Sequence, residues 1–164
     1  MFFATTPTDL AFTSSSPFRL TFDATAEAPP ERVFDVLADD AAMKKWFADV
    51  KDIRWTSKAP FGVGSTREVE LKTLTVKERF VAWERGVRMT FSIDAITIPL
   101  VKALMEDIQL EPLGEKGTRI VWTVHYEPTL LMRAAHPVAK MIFSKMWRAA
   151  LGGLAKYADA HPNG

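Results

Sequence analysis

Between Val87 and Ala95, and again between Ile120 and Tyr126, apolar side chains return at every second position. Val87, Met89, Phe91, Ile93 and Ala95 oppose Arg88, Thr90, Ser92 and Asp94, while Ile120, Trp122, Val124 and Tyr126 oppose Arg119, Val121, Thr123, His125 and Glu127. A helix would spread either set around its circumference, whereas an extended strand keeps it on one face. The chain therefore reads as an antiparallel sheet with one covered face.

The cover comes from the same chain. After Thr129 the period becomes helical and runs to about Ala160, with Pro137 placed to kink or restart the helix. Ala135, Val138, Ile142, Met146, Ala149, Gly153 and Tyr157 fall on one arc, extended by Phe143, Trp147 and Leu154, with Lys140, Ser144 and Arg148 pointing away. At about 1.5 Å per residue, residues 138 to 160 make a helix of roughly 34 Å. Seven strands at about 4.8 Å per gap make a sheet roughly 29 Å wide. One helix can thus cross the concave face of the whole sheet.

Upstream, Phe18, Leu20, Phe22, Ala24 and Ala26 alternate with polar residues as a first strand, which Pro29 and Pro30 end. Val33, Phe34 and Leu37 give the stripe of one short helix, and Asp39 or Asp40 can cap a second carrying Met43, Trp46 and Phe47. Residues 50 to 128 read as successive strands parted by turn signals at 58–64, 72–73, 85–86, 97–99 and 114–117. Among these, Lys77, Glu78 and Arg79 leave the inward side of the second to fourth strands open. Residues 1–16 have no basic leader and are broken by Pro7 and Asp9, so they read as a loose or late-ordered tail rather than a signal peptide. Residues 17–161 form a single domain, as suits a chain of 164 residues.

With 21 basic and 20 acidic residues the net charge is +1, which supplies no field for nucleic acid. The absence of cysteine removes thiolate metal sites and cysteine nucleophiles, and three scattered histidines assemble no metal cluster, so neither a metal nor a cofactor is expected. The longest uncharged apolar run, Ala95 to Val101, is interrupted by Thr97 and Pro99 and falls well short of the roughly 20 residues of a membrane span. A cytoplasmic monomer or homodimer without an integral membrane segment is the expectation. Five Trp, eleven Phe and seven Met beside three His favour binding of something apolar over proton chemistry.

The order of elements is strand, two short helices, six strands and a long C-terminal helix. Together with Ala28 through Asp39, Trp46-Phe47, Gly62-Val63-Gly64, Glu78-Arg79 with Trp83, and Leu110-Glu111-Pro112 followed by Gly117 through Trp122, it resembles the helix-grip superfamily. That group holds START lipid-transfer domains, birch-pollen-allergen proteins and polyketide cyclase/dehydrase-like proteins, and the Gly-Thr-Arg-x-x-Trp strand is most similar to the last branch. The resemblance implies an α+β helix-grip fold in which a curved seven-stranded antiparallel sheet wraps the C-terminal helix.

Such a fold encloses a space between helix and sheet. The residues expected to line it are Met89, Phe91, Ile93, Leu104, Ile108, Trp122 and Tyr126 on strands and Ile142, Met146, Ala149 and Gly153 on the helix. Gly152 and Gly153 each cost about 1 kcal/mol against Ala inside a helix. Two readings offset that cost: a hollow that admits a ligand, or close packing of helix on sheet. Glu106 shares a face with Leu104, Ile108 and Leu110, so it is the inward carboxylate, in preference to Asp107. Arg67 is its candidate counter-charge and Tyr126 a third polar candidate, although both charged residues could instead reach solvent near strand ends. His125 falls on the polar face and reads as surface, His136 stands at the Pro137 kink, and His161 lies in a frayed tail. Gly62-Val63-Gly64-Ser65 reads as a hairpin turn, because no helix N-terminus follows to make it a phosphate loop.

Three functions fit these features: a non-catalytic carrier or sensor of a lipid, isoprenoid, aromatic or polyketide-like molecule; a polyketide cyclase- or dehydratase-like enzyme using Glu106, Arg67 or Tyr126; and a protein-interaction module using the exposed helix pair around Trp46-Phe47, or a partner-dependent membrane factor.

Overall fold

The computed structural model of the protein describes residues 1–163. In chain order the elements are β1 (Phe3–Ala4), α1 (Phe12–Ser15), β2 (Phe18–Ala26), α2 (Pro30–Ala38), α3 (Asp40–Trp46), β3 (Val50–Trp55), β4 (Thr66–Leu71), β5 (Thr75–Glu84), β6 (Arg88–Ile96), β7 (Val101–Leu113), β8 (Gly117–Pro128), α4 (Leu130–Ala134) and α5 (His136–Ala160). All strand pairs are antiparallel, in the order β2-β8-β7-β6-β5-β4-β3. This is the expected α+β helix-grip architecture, with an eighth strand added by β1.

That eighth strand corrects the expectation of a loose N-terminal tail. The pairing of β6 with β7 runs only from Arg88↔Gln109 to Ser92↔Met105, and beyond it the two strands part. β1 enters the gap, pairing Phe3 with Ile96 and Ala4 with Ala95. Thr5 N donates to Asp94 O at 3.1 Å and Thr6 N to Lys102 O at 2.7 Å, so the segment bridges both strands. Thr8 then donates through its backbone N (3.0 Å) and Oγ1 (2.9 Å) to Ser92 Oγ. The backbone groups that β6 and β7 leave unpaired where they diverge are satisfied by this segment.

The same segment changes the outer face of the sheet. Alternation implied one covered face, yet on the outer side Thr90, Ser92, Met105, Asp107 and His125 are buried as well. Asp107 accepts from Arg88, Thr90 and Gln109. His125, expected at the surface, is 4 % exposed, and its Nδ1 lies 2.8 Å from Ser16 Oγ at the end of the N-terminal segment.

On the inner side, α5 packs along β2 and against α2 and α3. Asp39 caps α3 by accepting from the backbone N–H of Ala41 and Ala42, which leaves Asp40 for other partners. Pro137 sits in the first turn of α5, after a separate α4 capped by Thr129. The buried residues of α5 are Trp147, Ala150, Leu151, Leu154, Ala155 and Ala158. This arc is rotated by about one residue from the expected one, and Ala149 and Ile142 are exposed. A Cβ on Gly153 would lie 2.1 Å from the carbonyl oxygen of Trp46. Close packing, here of α5 on the end of α3, is therefore what Gly153 serves, and the hollow proposed at that position is absent.

Candidate functional site

Because α5 lies along the β2 side of the sheet, the rest of the inner face is left facing a cavity of about 100 Å³. Its walls follow the strand register. Phe91, Glu106 and Val124 form one cross-strand row, Met89, Ile108 and Trp122 the next, and Leu104 with Tyr126 a third. On the other side Arg67 of β4 stands opposite Glu78 of β5, which stands opposite Ile93 of β6. The helices contribute Met43 and Trp46 from α3, Met132 from α4, and His136, Lys140, Phe143, Met146 and Trp147 from α5.

Of the residues expected around this space, Met89, Phe91, Ile93, Leu104, Ile108, Trp122, Tyr126 and Met146 line the cavity. Ile142, Ala149 and Gly153 do not, for the reason of helix phase given above. Trp46 and Phe47, expected as an exposed interaction surface, are 5 % and 7 % exposed and stack on each other in the core. An interaction module built on that pair loses its basis.

The polar groups of the cavity are few and individually held. Glu106 Oε2 accepts from Trp122 Nε1 at 2.9 Å and from Trp147 Nε1 at 3.2 Å. Its second oxygen has no hydrogen bond among the described residues, and the side chain keeps some accessible surface where it lines the cavity. Burial, and next the nearby charge of Glu78, push its pKa up to about 8, against the lowering effect of the two indoles and Arg67. Near neutral pH this carboxyl is mostly protonated, so it can offer an O–H to a bound acceptor.

Arg67 is not at a strand end reaching solvent: it is 2 % exposed. Its direct partners differ from the expected Glu106. Nε donates to Glu78 Oε2 at 2.7 Å and Nη1 to Asp40 Oδ1 at 3.4 Å, while the guanidinium lies 5.4 Å from the Trp55 ring and 5.0 Å from the Phe80 ring. Asp40 also accepts from Trp55 Nε1 at 2.6 Å. Glu78 was concealed in the sequence by charges on both sides of it, and it settles the inward face of β5: Val76, Glu78 and Phe80 point in.

At the α5 end, Tyr126 Oη and His136 Nε2 lie 2.6 Å apart, and burial raises the Tyr126 pKa. Lys140 is exposed and still lines the cavity, so the space reaches the surface there. Trp46 Nε1 is the one buried side-chain polar atom without a hydrogen-bond partner among the described residues. No group of three His, Asp or Glu side chains among the described residues is disposed to hold a metal ion. Gly62–Ser65 is a turn, with Gly64 at φ 87° and Ser65 Oγ accepting from Gly62 N.

A sheet gripping a C-terminal helix, with an apolar cavity between them, places the chain in the helix-grip class. Residues 17–159 match the model of the family described as polyketide cyclase / dehydrase and lipid transport, and the protein belongs to that family. An uncharacterized protein of Mycobacterium tuberculosis is 32 % identical over 152 residues, covering 92 % of this chain and 90 % of its own length. The Zhui aromatase/cyclase from a Streptomyces species superposes with a TM-score of 0.74 at 15 % identity, over 88 % of this chain and 94 % of the other. A START superfamily protein from Mycobacterium smegmatis gives 0.65 at 14 % identity, over 88 % and 96 %. At these identities the solved structures share the fold. Family and fold together suit hydrophobic-ligand binding or cyclase-like chemistry, and no helix among the described residues is long and apolar enough to cross a membrane.

Proposed function

We propose that the protein is a carrier or sensor that encloses a hydrophobic small molecule, of the lipid, isoprenoid, aromatic or polyketide-like kind, between α5 and the sheet. One observation carries the reading: a cavity walled by aromatic and aliphatic side chains, with its carboxyl group held by two indoles. Apolar burial at about 25 cal/mol per Å² supplies the affinity. The free oxygen of Glu106, on a side chain that lines the cavity, favours a ligand with one polar end over a pure hydrocarbon.

Native mass spectrometry of freshly purified protein tests this directly, with a co-purified apolar molecule as the expected result. In parallel, anilinonaphthalene sulfonate should fluoresce on binding and raise the thermal midpoint, and Met146→Trp should fill the space and abolish both effects. No bound molecule and no thermal gain would overturn the reading.

A second reading rests on Glu106 as a protonated acid in an apolar site, the state suited to polarising a ligand carbonyl as a cyclase or dehydratase requires. Glu106→Gln separates the two: a carrier keeps its affinity, whereas an enzyme loses turnover of a poly-carbonyl substrate while still binding it.

A further inference from the structure

The helices α4 and α5 carry exposed apolar side chains of their own. Leu130 and Leu131 of α4 are 77 % and 75 % exposed, and Val138, Met141 and Ile142 of α5 are 59 %, 67 % and 59 % exposed. Large apolar side chains gathered in this way on two consecutive helices mark an interaction surface. Within the two helices up to Ala158 the charge is of one sign. From Pro128 to Ala158 the sequence contains no Asp or Glu, while Arg133, Lys140, Lys145, Arg148 and Lys156 fall within it. Every ion pair among the described residues joins groups between Asp23 and Glu127, so none of these five cations is neutralised there. A shallow groove along α5 gathers Lys140, Lys145 and Arg148 beside Pro137, Met141 and Ser144.

We propose that the α4–α5 face is a docking surface for a bilayer that carries anionic lipid. Leu130, Leu131 and Met141 enter the acyl boundary, and the lysines and arginines sit at the level of the phosphates. Charge complementarity selects this occupant. A second copy docked through the same face by two-fold symmetry would set the uncompensated cations against one another, whereas an anionic headgroup layer meets them with opposite charge. The face also holds the point where the cavity reaches the surface, at Lys140. Docking thus brings the opening against the membrane, a consequence that rests on the ligand-binding reading, although the docking itself does not.

Co-sedimentation of the full chain with phosphatidylcholine vesicles, with and without phosphatidylglycerol, tests the proposal. The expected result is binding to the anionic vesicles alone, weakened by added salt. Lys145→Gln/Arg148→Gln should lower partitioning about thirtyfold, at roughly fivefold per basic residue, and Leu130→Ser/Leu131→Ser should lower it at least as much. Thermal unfolding verifies that both variants remain folded. Absence of binding to anionic vesicles at low salt, or undiminished binding by the Leu130/Leu131 variant, overturns the proposal. So does a dimer that forms through this face and dissociates in that variant. The anilinonaphthalene sulfonate titration is run on the same samples, so a failure of docking is distinguishable from a failure of cavity binding.

Discussion

Trp122 of β8 and Trp147 of α5 donate their indole N–H groups to the same oxygen of Glu106, at 2.9 and 3.2 Å. Sheet and helix are thereby joined through one carboxyl group whose pKa is raised from 4.5 to about 8. The folded state holds this proton more tightly than the unfolded chain does, so stability falls as pH rises between those two values. The penalty is absent below the lower value and complete above the higher. Glu106→Gln keeps an oxygen for both indoles and removes the titration. Urea unfolding should show it more stable than wild type at about pH 9, by on the order of a few kcal/mol, with the difference much smaller at about pH 5.

Two adjacent glycines of α5 should respond in opposite directions. Gly152→Ala meets nothing within 4 Å and should stabilise the helix by about 1 kcal/mol. Gly153→Ala places its methyl against the Trp46 carbonyl, a backbone atom that cannot step aside, so the α3–α5 contact must open. A loss of roughly 3 kcal/mol or more in chemical denaturation is expected. Equal effects from the two substitutions would contradict the packing described.

Arg67 and Glu78 are both buried and joined at 2.7 Å. Arg67→Met strips Glu78 of its partner and should cost roughly 3–5 kcal/mol, while Arg67→Met/Glu78→Leu should recover much of the loss. The comparison is made by thermal unfolding of the two variants beside wild type.

Deleting residues 1–16 uncovers the outer side of β6 to β8. Burial holds the His125 pKa below its ordinary value of 6.5, so in the truncated protein it should move back up toward that value. NMR titration of the imidazole measures this, and an unmoved His125 would mean that the N-terminal segment is not what buries it.

The strands of this fold were readable where a single residue phase runs unbroken, as in 87–95 and 120–126, and Glu106 could be turned inward because Leu104, Ile108 and Leu110 share its parity. Periodicity says which residues are on the same side, but it does not count how many sides are covered. His125 was misplaced for that reason: its strand has a polar outer face, and the N-terminal segment buries it. The phase of α5 failed for a different one. Val138 and Ile142 are apolar and point outward, so an amphipathic reading that places them on the core side rotates the helix. Glu78 was hidden because its charged neighbours Lys77 and Arg79 obscured which side of the strand was inward; cross-strand pairing with Arg67, which fixes it, is a tertiary fact.

The wedge of β1 between β6 and β7 carries a kinetic consequence. Thr5 Oγ1 donates to the carbonyl of Ile93 across 88 residues of sequence, and Thr6 reaches Lys102. Until both of those strands have formed, residues 3–8 have no docking groove, so during synthesis they must wait through most of the domain. From the time β6 and β7 form until the wedge docks, their divergent edges stay open to any other extended segment. An N-terminal fusion that slows the wedge should therefore show itself as aggregation during expression, before any effect on the finished fold can be measured.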